Sequence, residues 1–279
     1  MRRSIALACL ALCSTPALAQ EAMFGEAATM PGPGTVVLRQ MLHLNHFGSR
    51  PEGPEPRTRS TRQIESITSL QVGLVRDLSL RVELPMALRR TKDSAGAVDN
   101  DQGVEDIDLL LKWRVLQHDK PGLDTTRLAL LAGATIASGD DRDFSSGSVN
   151  PQLGAVLTTI RGRHGFNQEI TYRFNTGGDD AHNFGGRGKD DALTLVTGYV
   201  YRLWPDRFAD GAEHGWYATA ELITLYETSG DWEGRLAIGA MLEARTCALE
   251  ASVLLPVFDR LRRRAELDWG LAAGLRLTF

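Results

Sequence analysis

The sequence predicts an all-β fold, a transmembrane antiparallel β-barrel of about twelve strands with both termini in the periplasm. Three observations predict it. Residues 267–279 alternate between apolar and polar or small side chains, similar stretches recur along the chain, and residues 20–279 contain no long uninterrupted apolar run. A membrane helix needs about 20 apolar residues. A chain that spans a membrane without one must form a closed barrel, because only helices and closed barrels satisfy every backbone hydrogen bond in lipid.

The last candidate strand shows the alternation most clearly. Every odd position from 267 to 279 is apolar, whereas the even positions are small, charged or threonine. A period of two places these sets on opposite faces of a strand. The final residue, Phe279, resembles the C-terminal aromatic residue of bacterial outer-membrane barrels. The resemblance implies that it is an assembly signal and that the barrel-assembly machinery is a partner.

A secretory signal peptide is predicted for residues 1–19. Two arginines precede a short apolar run, and an Ala-Leu-Ala sequence then supplies a small-residue cleavage site. We interpret residues 20–34, which contain two prolines and three glycines, as either a disordered lead or a small plug. Residues 35–279 are predicted to form the barrel.

Composition narrows the classes of function. The chain has 279 residues, of which 43% are hydrophobic, and a net charge of -4 at pH 7. Its mild acidity argues against nucleic acid as a partner, because nucleic acid usually requires a basic face. Two of the three cysteines lie in the predicted signal peptide, so Cys247 would remain alone without an internal disulfide. We predict no metal site, because the acidic loop segments do not follow the spacing of a calcium loop. No cofactor is predicted either.

Twelve strand candidates have the length of barrel strands, roughly ten residues each. At residues 78–89, for example, Leu80 and Leu84 face one way while Arg81 and Glu83 face the other. The register of the ninth candidate is ambiguous. The candidates are residues 35–47, 64–75, 78–89, 107–116, 127–137, 149–160, 166–175, 192–203, 216–226, 235–244, 248–257 and 265–279.

Alternation alone leaves open which face points outward, because a soluble barrel of the lipocalin type has the same pattern with the faces inverted. Charged residues of opposite sign occur in the middle of the polar faces, and small residues share those faces. The apolar faces are rich in leucine and end in aromatic residues, as at the interfaces of a membrane barrel. These features favour the membrane barrel. The aromatic residues are Trp113, Tyr199, Tyr201, Trp269 and Phe279.

The connections favour an N-terminus in the periplasm. With that orientation most outer connections are long and polar, and several inner ones are tight, which is usual for outer-membrane barrels. An even number of strands then returns the C-terminus to the periplasm. The long outer connections are residues 48–62, 90–106, 138–148 and 176–191, and the tight inner ones are 76–77, 161–165 and 245–247.

Several turn-and-strand motifs resemble the outer-membrane proteins of the MetA-pathway family of phenol degradation. They are GLVRDLSL at 73–80, LP at 84–85, GVEDIDLLLKWR at 103–114, GSVNPQLG at 147–154 and LPV at 255–257. The sequence departs from the family at residues 137–139, where Ala-Ser-Gly replaces Pro-Thr-Gly. The resemblance covers most of the chain after residue 19. It implies a porin-like outer-membrane channel that moves small molecules of aromatic or otherwise hydrophobic character.

Charged side chains on the polar faces are the predicted lining of the lumen and the candidate solute path. A buried charge requires a partner or water, so a lining of mixed sign forms ion pairs or surrounds an aqueous route. Such a lining selects solutes by charge and size. The alternative is that the pairs only fill and stiffen a narrow barrel. The predicted lining residues are Arg39, His43, Glu65, Arg81, Glu83, Arg89, Asp108, Lys112, Arg114, Glu169, Arg173, Glu243 and Arg276.

The predicted function is a channel or transporter for a small-molecule solute in the bacterial outer membrane, where lipid and lipopolysaccharide are its surroundings. A plugged barrel with a structural or surface-interaction role is the alternative. A hydrolase would need a nucleophile beside a base that a third group holds. His182 lies near two aspartates but has no serine motif, so no enzymatic activity is predicted. Arg260 and residues 262–264 form a basic cluster, interpreted either as a contact for lipopolysaccharide or as a solvated loop.

Overall fold

The computed structural model describes residues 21, 23–48, 60–93, 95–120, 122, 124–140, 144–177, 188–207, 213–262 and 264–279. The predicted signal peptide, His182 and Arg263 lie outside these residues.

Thirteen β-strands follow one another along the described chain. They are β1 (Val36–Gly48), β2 (Ser60–Val75), β3 (Leu78–Lys92), β4 (Val98–Val104), β5 (Ile107–Asp119), β6 (Thr125–Ile136), β7 (Asn150–Arg161), β8 (His164–Arg173), β9 (Ala192–Trp204), β10 (His214–Glu227), β11 (Trp232–Ala244), β12 (Cys247–Arg260) and β13 (Glu266–Thr278).

Twelve of these strands close into one antiparallel barrel. From β5 to β13 each strand pairs with the next, β13 pairs with β1, and β1, β2 and β3 follow in succession. Strand β3 pairs with β5 through residues 78–83, which completes the ring. The predicted all-β antiparallel barrel of about twelve strands is therefore confirmed. In the described part of the chain no helix is both long and apolar enough to cross a membrane.

Strand β4 lies where the sequence analysis placed only a connection. It pairs with the end of β3 and extends the wall beyond the ring. Its sequence, VDNDQGV, has no apolar alternation, so the period-two pattern could not reveal it. The turn before it contains Gly96 at φ 87°, and Asp93 Oδ1 accepts hydrogen bonds from the N–H groups of Ala95 (3.0 Å) and Ala97 (2.8 Å).

The start of the first strand, at Val36, and the last residue, Phe279, meet at one rim of the barrel. The N–H of Val36 donates to the carbonyl of Phe279 (3.1 Å), and the N–H of Phe279 donates to the carbonyl of Val36 (2.9 Å). We call this rim the termini end and the opposite rim the loop end. Tight connections at residues 76–77, 162–163 and 245–246 lie at the termini end, whereas β1 and β8 end, and β2 and β9 begin, at the loop end.

Apolar side chains cover the outward face of the wall. Ile238 is 53% exposed and Leu153 is 57% exposed, values that a water-soluble barrel would not show at so many positions. Tryptophans lie near both rims, as in the aromatic girdles of membrane barrels. They are Trp204 and Trp216 towards the termini end and Trp232 and Trp269 towards the loop end. The membrane barrel, with its apolar face outward, is therefore the fold that forms.

A β-bulge reverses the predicted faces at the start of β13. Strict alternation places Leu267 outward and Asp268 inward, but Leu267 is buried and Asp268 is exposed. His46 pairs with Trp269 and Phe47 pairs with Leu267, which leaves Asp268 as an extra residue. An extra residue shifts the neighbouring side chains to the other face. The predicted faces of these two residues were wrong, and those from Trp269 onward agree with the structure.

The substitution Ile238→Arg tests the outward face, since Ile238 lies at the middle of β11. We expect it to lower the free energy of unfolding in lipid vesicles by about 2–4 kcal/mol, because arginine is expensive at the bilayer midplane. Val257 is equally exposed but lies nearer the loop end of β12, so Val257→Arg should cost only about 0–1 kcal/mol. Denaturant titration of vesicle-reconstituted protein measures both values. Equal effects at the two depths would contradict the lipid-facing assignment.

Candidate functional site

The predicted lining residues all lie on barrel strands, and each has an ion pair or hydrogen bond with another described residue. They belong to β1, β2, β3, β5, β8, β11 and β13. Towards the loop end Arg89 pairs with Glu105 and Arg173 pairs with Asp108, and His43 Nδ1 lies 3.5 Å from Glu65 Oε2. Arg114 instead lies at the termini end, where it pairs with Asp77 of the β2–β3 turn at 2.7 Å. The remaining members surround a segment that the sequence left undecided.

The described residues of that segment, 21 and 23–34, lie inside the barrel in the half nearer the termini end. Glu26 is its main anchor, because its carboxylate pairs with both Arg81 and Lys112. Lys112 Nζ lies 2.9 Å from Glu26 Oε2 and also donates to the carbonyl of Ala27 at 2.9 Å. Ala28 is fully buried against the wall, and the N–H of Ala28 donates to Thr158 Oγ1 at 2.8 Å.

Glu21 provides a second anchor. Its carboxylate pairs with Arg276 and accepts a hydrogen bond from the hydroxyl of Thr29 within the same segment. Burial alone would raise the pKa of Glu21, but the neighbouring cations, above all Arg276, hold this pKa below its usual value. Arg276 also donates to Glu243 at 2.8 Å, so it links the segment to β11.

Two carboxylates of the wall bind the main chain of the segment. Glu221 accepts the N–H groups of three successive residues, Met23 (2.7 Å), Phe24 (2.9 Å) and Gly25 (3.0 Å). Glu169 accepts the next N–H, that of Glu26, at 2.7 Å. These hydrogen bonds satisfy four successive N–H groups of the segment and fix its main chain against the wall.

Glu221 was missed in the sequence analysis because it lies on the strand whose register was ambiguous. Strand β10 carries apolar residues on both faces, so alternation does not separate them. The sequence signal that would have found it is the hydrogen-bonding side chains at odd positions, Tyr217, Thr219, Glu221 and Glu227, which the structure buries on one face. A charged residue in the middle of such a set marks the lumen side.

A cavity of about 360 Å³ lies above the segment, towards the loop end. Phe24 of the segment is part of its lining, which combines apolar and polar side chains. The apolar ones include Phe24, Phe47, Ile67, Val196, Ile223 and Leu254, and the polar ones include His43, Gln63, Arg89, Glu105, Asp106, Asn150, Arg173 and Arg235.

Asp106, between β4 and β5, ties the loop-end connections around this cavity together. Its Oδ1 accepts hydrogen bonds from the N–H groups of Ser138 and Gly139, each at 3.0 Å, and from the hydroxyl of Ser145 at 2.6 Å. Its Oδ2 accepts the N–H and the hydroxyl of Ser146. Burial alone would raise the pKa of Asp106, but these five hydrogen bonds hold it below its usual value.

A second buried network at the loop end involves Arg264. Its Nε donates to Glu227 at 3.2 Å and its Nη1 donates to Glu233, with the side chain 1% exposed. The interpretation of residue 264 as part of an exposed basic cluster was therefore wrong, because the two buried carboxylates draw its guanidinium inward. Arg260 and Arg262 are exposed.

No family model matches the chain, and no curated protein matches it by sequence. Among solved structures, an outer membrane channel from Pseudomonas putida F1 matches with a TM-score of 0.66 at 11% identity, over 93% of this chain and 100% of that one. The translocator domain of autotransporter NalP from Neisseria meningitidis gives 0.49 at 14% identity, over 90% and 91%. A mutant of the monoaromatic hydrocarbon channel TodX gives 0.45 at 7% identity, over 95% and 92%.

The first of these comparisons shows a shared barrel fold. With the closed ring, the apolar outward face and the tryptophans at both rims, it defines the class of protein: a β-barrel of the bacterial outer membrane. That neighbour is described as an outer membrane channel. The resemblance to the phenol-degradation family remains a prediction.

The substitution Asp106→Asn tests the loop-end network. Loss of the charge-assisted bonds should lower the stability of residues 138–148 by about 2–3 kcal/mol, measured by hydrogen exchange. A folded-state pKa below the usual value of about 3.9 gives stability that is complete above that value and is lost as the pH falls through the folded-state pKa. The variant should not show this acid-dependent loss.

Asp140→Asn is the matched control. Asp140 lies in the same region, is exposed and accepts one N–H, that of Val104 at 2.9 Å. Its substitution should change the free energy of local opening, measured by hydrogen exchange, by no more than about 1 kcal/mol. Equal effects of the two variants would contradict the role of Asp106.

Proposed function

We propose that the protein is an outer-membrane channel for a small solute and that residues 21–34 act as its plug. The observation that carries this proposal is the way the segment is held. Residues 21–28 contact the wall through Glu21, Glu26 and hydrogen bonds to wall side chains, below a cavity that lies towards the loop end. Contacts of this kind can be broken while the strand ladder of the barrel stays closed. A plug of this kind therefore can leave the lumen without unfolding the wall.

In this proposal the loop end faces the cell exterior and both termini lie in the periplasm. The short turns at the termini end and the long connections at the loop end support this orientation, since outer-membrane barrels show the same asymmetry. The signal peptide predicted for residues 1–19 would direct the chain to the periplasm. Phe279, which is 72% exposed at the termini end, would serve there as the assembly signal.

The solute class we propose is a small aromatic or otherwise hydrophobic molecule with some polar character. The apolar side chains of the cavity lining, with rings from Phe24 and Phe47, would bind the body of such a molecule. The charged lining residues would then contact its polar group. Membership of the phenol-degradation family, which the sequence motifs suggest, agrees with this class. Lipid and lipopolysaccharide would surround the barrel, with Arg260 and Arg262 available to anionic groups at the loop end.

The substitution Glu26→Gln tests the plug. Because Glu26 neutralises both Arg81 and Lys112, its loss leaves two cations of the wall without this partner and weakens the hold on the segment. We expect the single-channel conductance in planar bilayers to rise several-fold, with a matching rise in phenol-like solute flux into vesicles. Glu83→Gln is the matched control, since Glu83 pairs with Arg81 on the same strand at 3.4 Å but is not part of the segment.

The main alternative is a plugged barrel that transports nothing. It predicts that neither the wild-type protein nor Glu26→Gln passes ions or solutes, although both fold. Equal conductance of Glu26→Gln and Glu83→Gln would contradict the plug but not the channel.

A further inference from the structure

A serine, a histidine and an aspartate form a connected chain on the outside of the barrel wall at the loop end. Ser60 Oγ lies 3.2 Å from His46 Nε2, and His46 Nδ1 lies 2.7 Å from Asp268 Oδ2. The three residues come from β2, β1 and β13, so barrel closure brings them together. The bulge that turns Asp268 outward is what places its carboxylate beside His46.

The chemistry of the three groups fixes the direction of the hydrogen bonds. An ionised carboxylate can only accept, so Nδ1 of His46 carries the proton that it donates to Asp268. In the neutral imidazole Nε2 is then an acceptor, and the hydroxyl of Ser60 donates to it. A serine hydroxyl that donates to a histidine, held in turn by an aspartate, is the arrangement that activates serine as a nucleophile.

We propose that Ser60, His46 and Asp268 form a hydrolytic site for the acyl esters of phosphate-bearing membrane lipids. The site lies on the outside of the wall, apart from the lumen, and so goes beyond the proposed channel function. In this site Ser60 is the nucleophile and His46 the general base. Asp268 is a positioning residue that acts through His46.

The position of the site in the wall supports a lipid substrate. His46 lies between the apolar outward face and the loops, and Trp269 stacks against its ring at 5.9 Å with an interplanar angle of 2°. Tryptophan prefers the interface between the hydrocarbon and the headgroups, where the ester groups of lipids also lie. The side chains of His46 and Asp268 are 23% and 46% exposed, so the site is accessible from outside.

Cations beside the site support a phosphate-bearing headgroup. Arg62 pairs in register with His46 on one side and with Arg90 on the other, and Lys92 pairs with Ser60. Arg62, Arg90 and Lys92 are all exposed on the wall. Arginine and lysine at these positions match a phosphate group that lies next to the ester to be cleaved.

The reaction would be an acyl transfer in two steps. Ser60 Oγ attacks the ester carbonyl while His46 Nε2 takes its proton, and the tetrahedral intermediate expels the lipid alkoxide, which receives that proton. Water, deprotonated by His46, then attacks the acyl-serine, and the fatty acid leaves as the proton on His46 returns to Ser60 Oγ. Each turnover consumes one water and one ester and yields one alcohol and one acid.

The first experiment asks whether Ser60 is a nucleophile. Purified, folded barrel in detergent micelles is treated with a fluorophosphonate ester, and the modified residue is found by mass spectrometry. We expect the label on Ser60 and its loss in His46→Gln. Ser66→Ala is the matched control, because Ser66 lies on the same strand but hydrogen-bonds Gln40 instead of a histidine. Folded protein that carries no label on Ser60 would overturn the proposal.

The second experiment measures fatty-acid release from phosphatidylethanolamine vesicles and, separately, from lipopolysaccharide, which identifies the lipid that serves as substrate. We expect Ser60→Ala to abolish release and Asp268→Asn to lower kcat by about 10³–10⁴-fold with KM little changed, since a triad aspartate acts on the chemical step. Asp268→Glu should recover part of the activity. The same release from wild type and Ser60→Ala on both lipids would overturn the proposal. Channel conductance, measured in parallel, should be unchanged in all these variants.

Discussion

Neutralisation of charge inside the lumen is the constraint on which the rest of the structure depends. Arg39, Arg81, Lys112 and Arg276 face one another across a narrow, largely buried space. Acids of the wall supply some of the countercharge, as Glu250 does for Arg39 and Glu243 for Arg276. Glu21 and Glu26 of the N-terminal segment supply the rest. Because an unpaired buried charge is strongly destabilising, the wall and the segment stabilise each other.

Much of the barrel could be predicted from the sequence, because lipid on one side and polar groups on the other impose a period of two. That pattern identified the strands of the ring and the side on which residues such as Lys112 and Glu169 lie. It did not identify their partners. Asp108 and Lys112 share the polar face of one strand, but Lys112 contacts Glu26 and Asp108 contacts Arg173 of β8. Partners across the lumen depend on barrel closure and on residues 21–34, which have no periodic pattern.

Three features could not be predicted because no periodic pattern in the sequence marks them. The bulge at Asp268 exchanges the faces of two neighbours, and no composition signal marks it. Strand β4 forms from polar residues that are exposed on the wall extension, so burial does not shape its sequence. Asp106 resembled any other acidic residue of a connection, and its five hydrogen bonds arise only when the loops between β4 and β7 fold over it.

Strand β1 carries polar residues on both faces of the barrel wall. It pairs with β13 and so closes the ring, it points Arg39 and His43 into the lumen, and it points His46 to the outside. The register between β1 and β13 is held on the inside by packing of Phe47 and Leu267 and on the outside by the contact of His46 with Asp268. Since side chains alternate along a strand, the inner and outer groups can change separately while the ladder stays the same. The wall can therefore carry the ion pairs of the lumen on one face and the contact of His46 with Asp268 on the other.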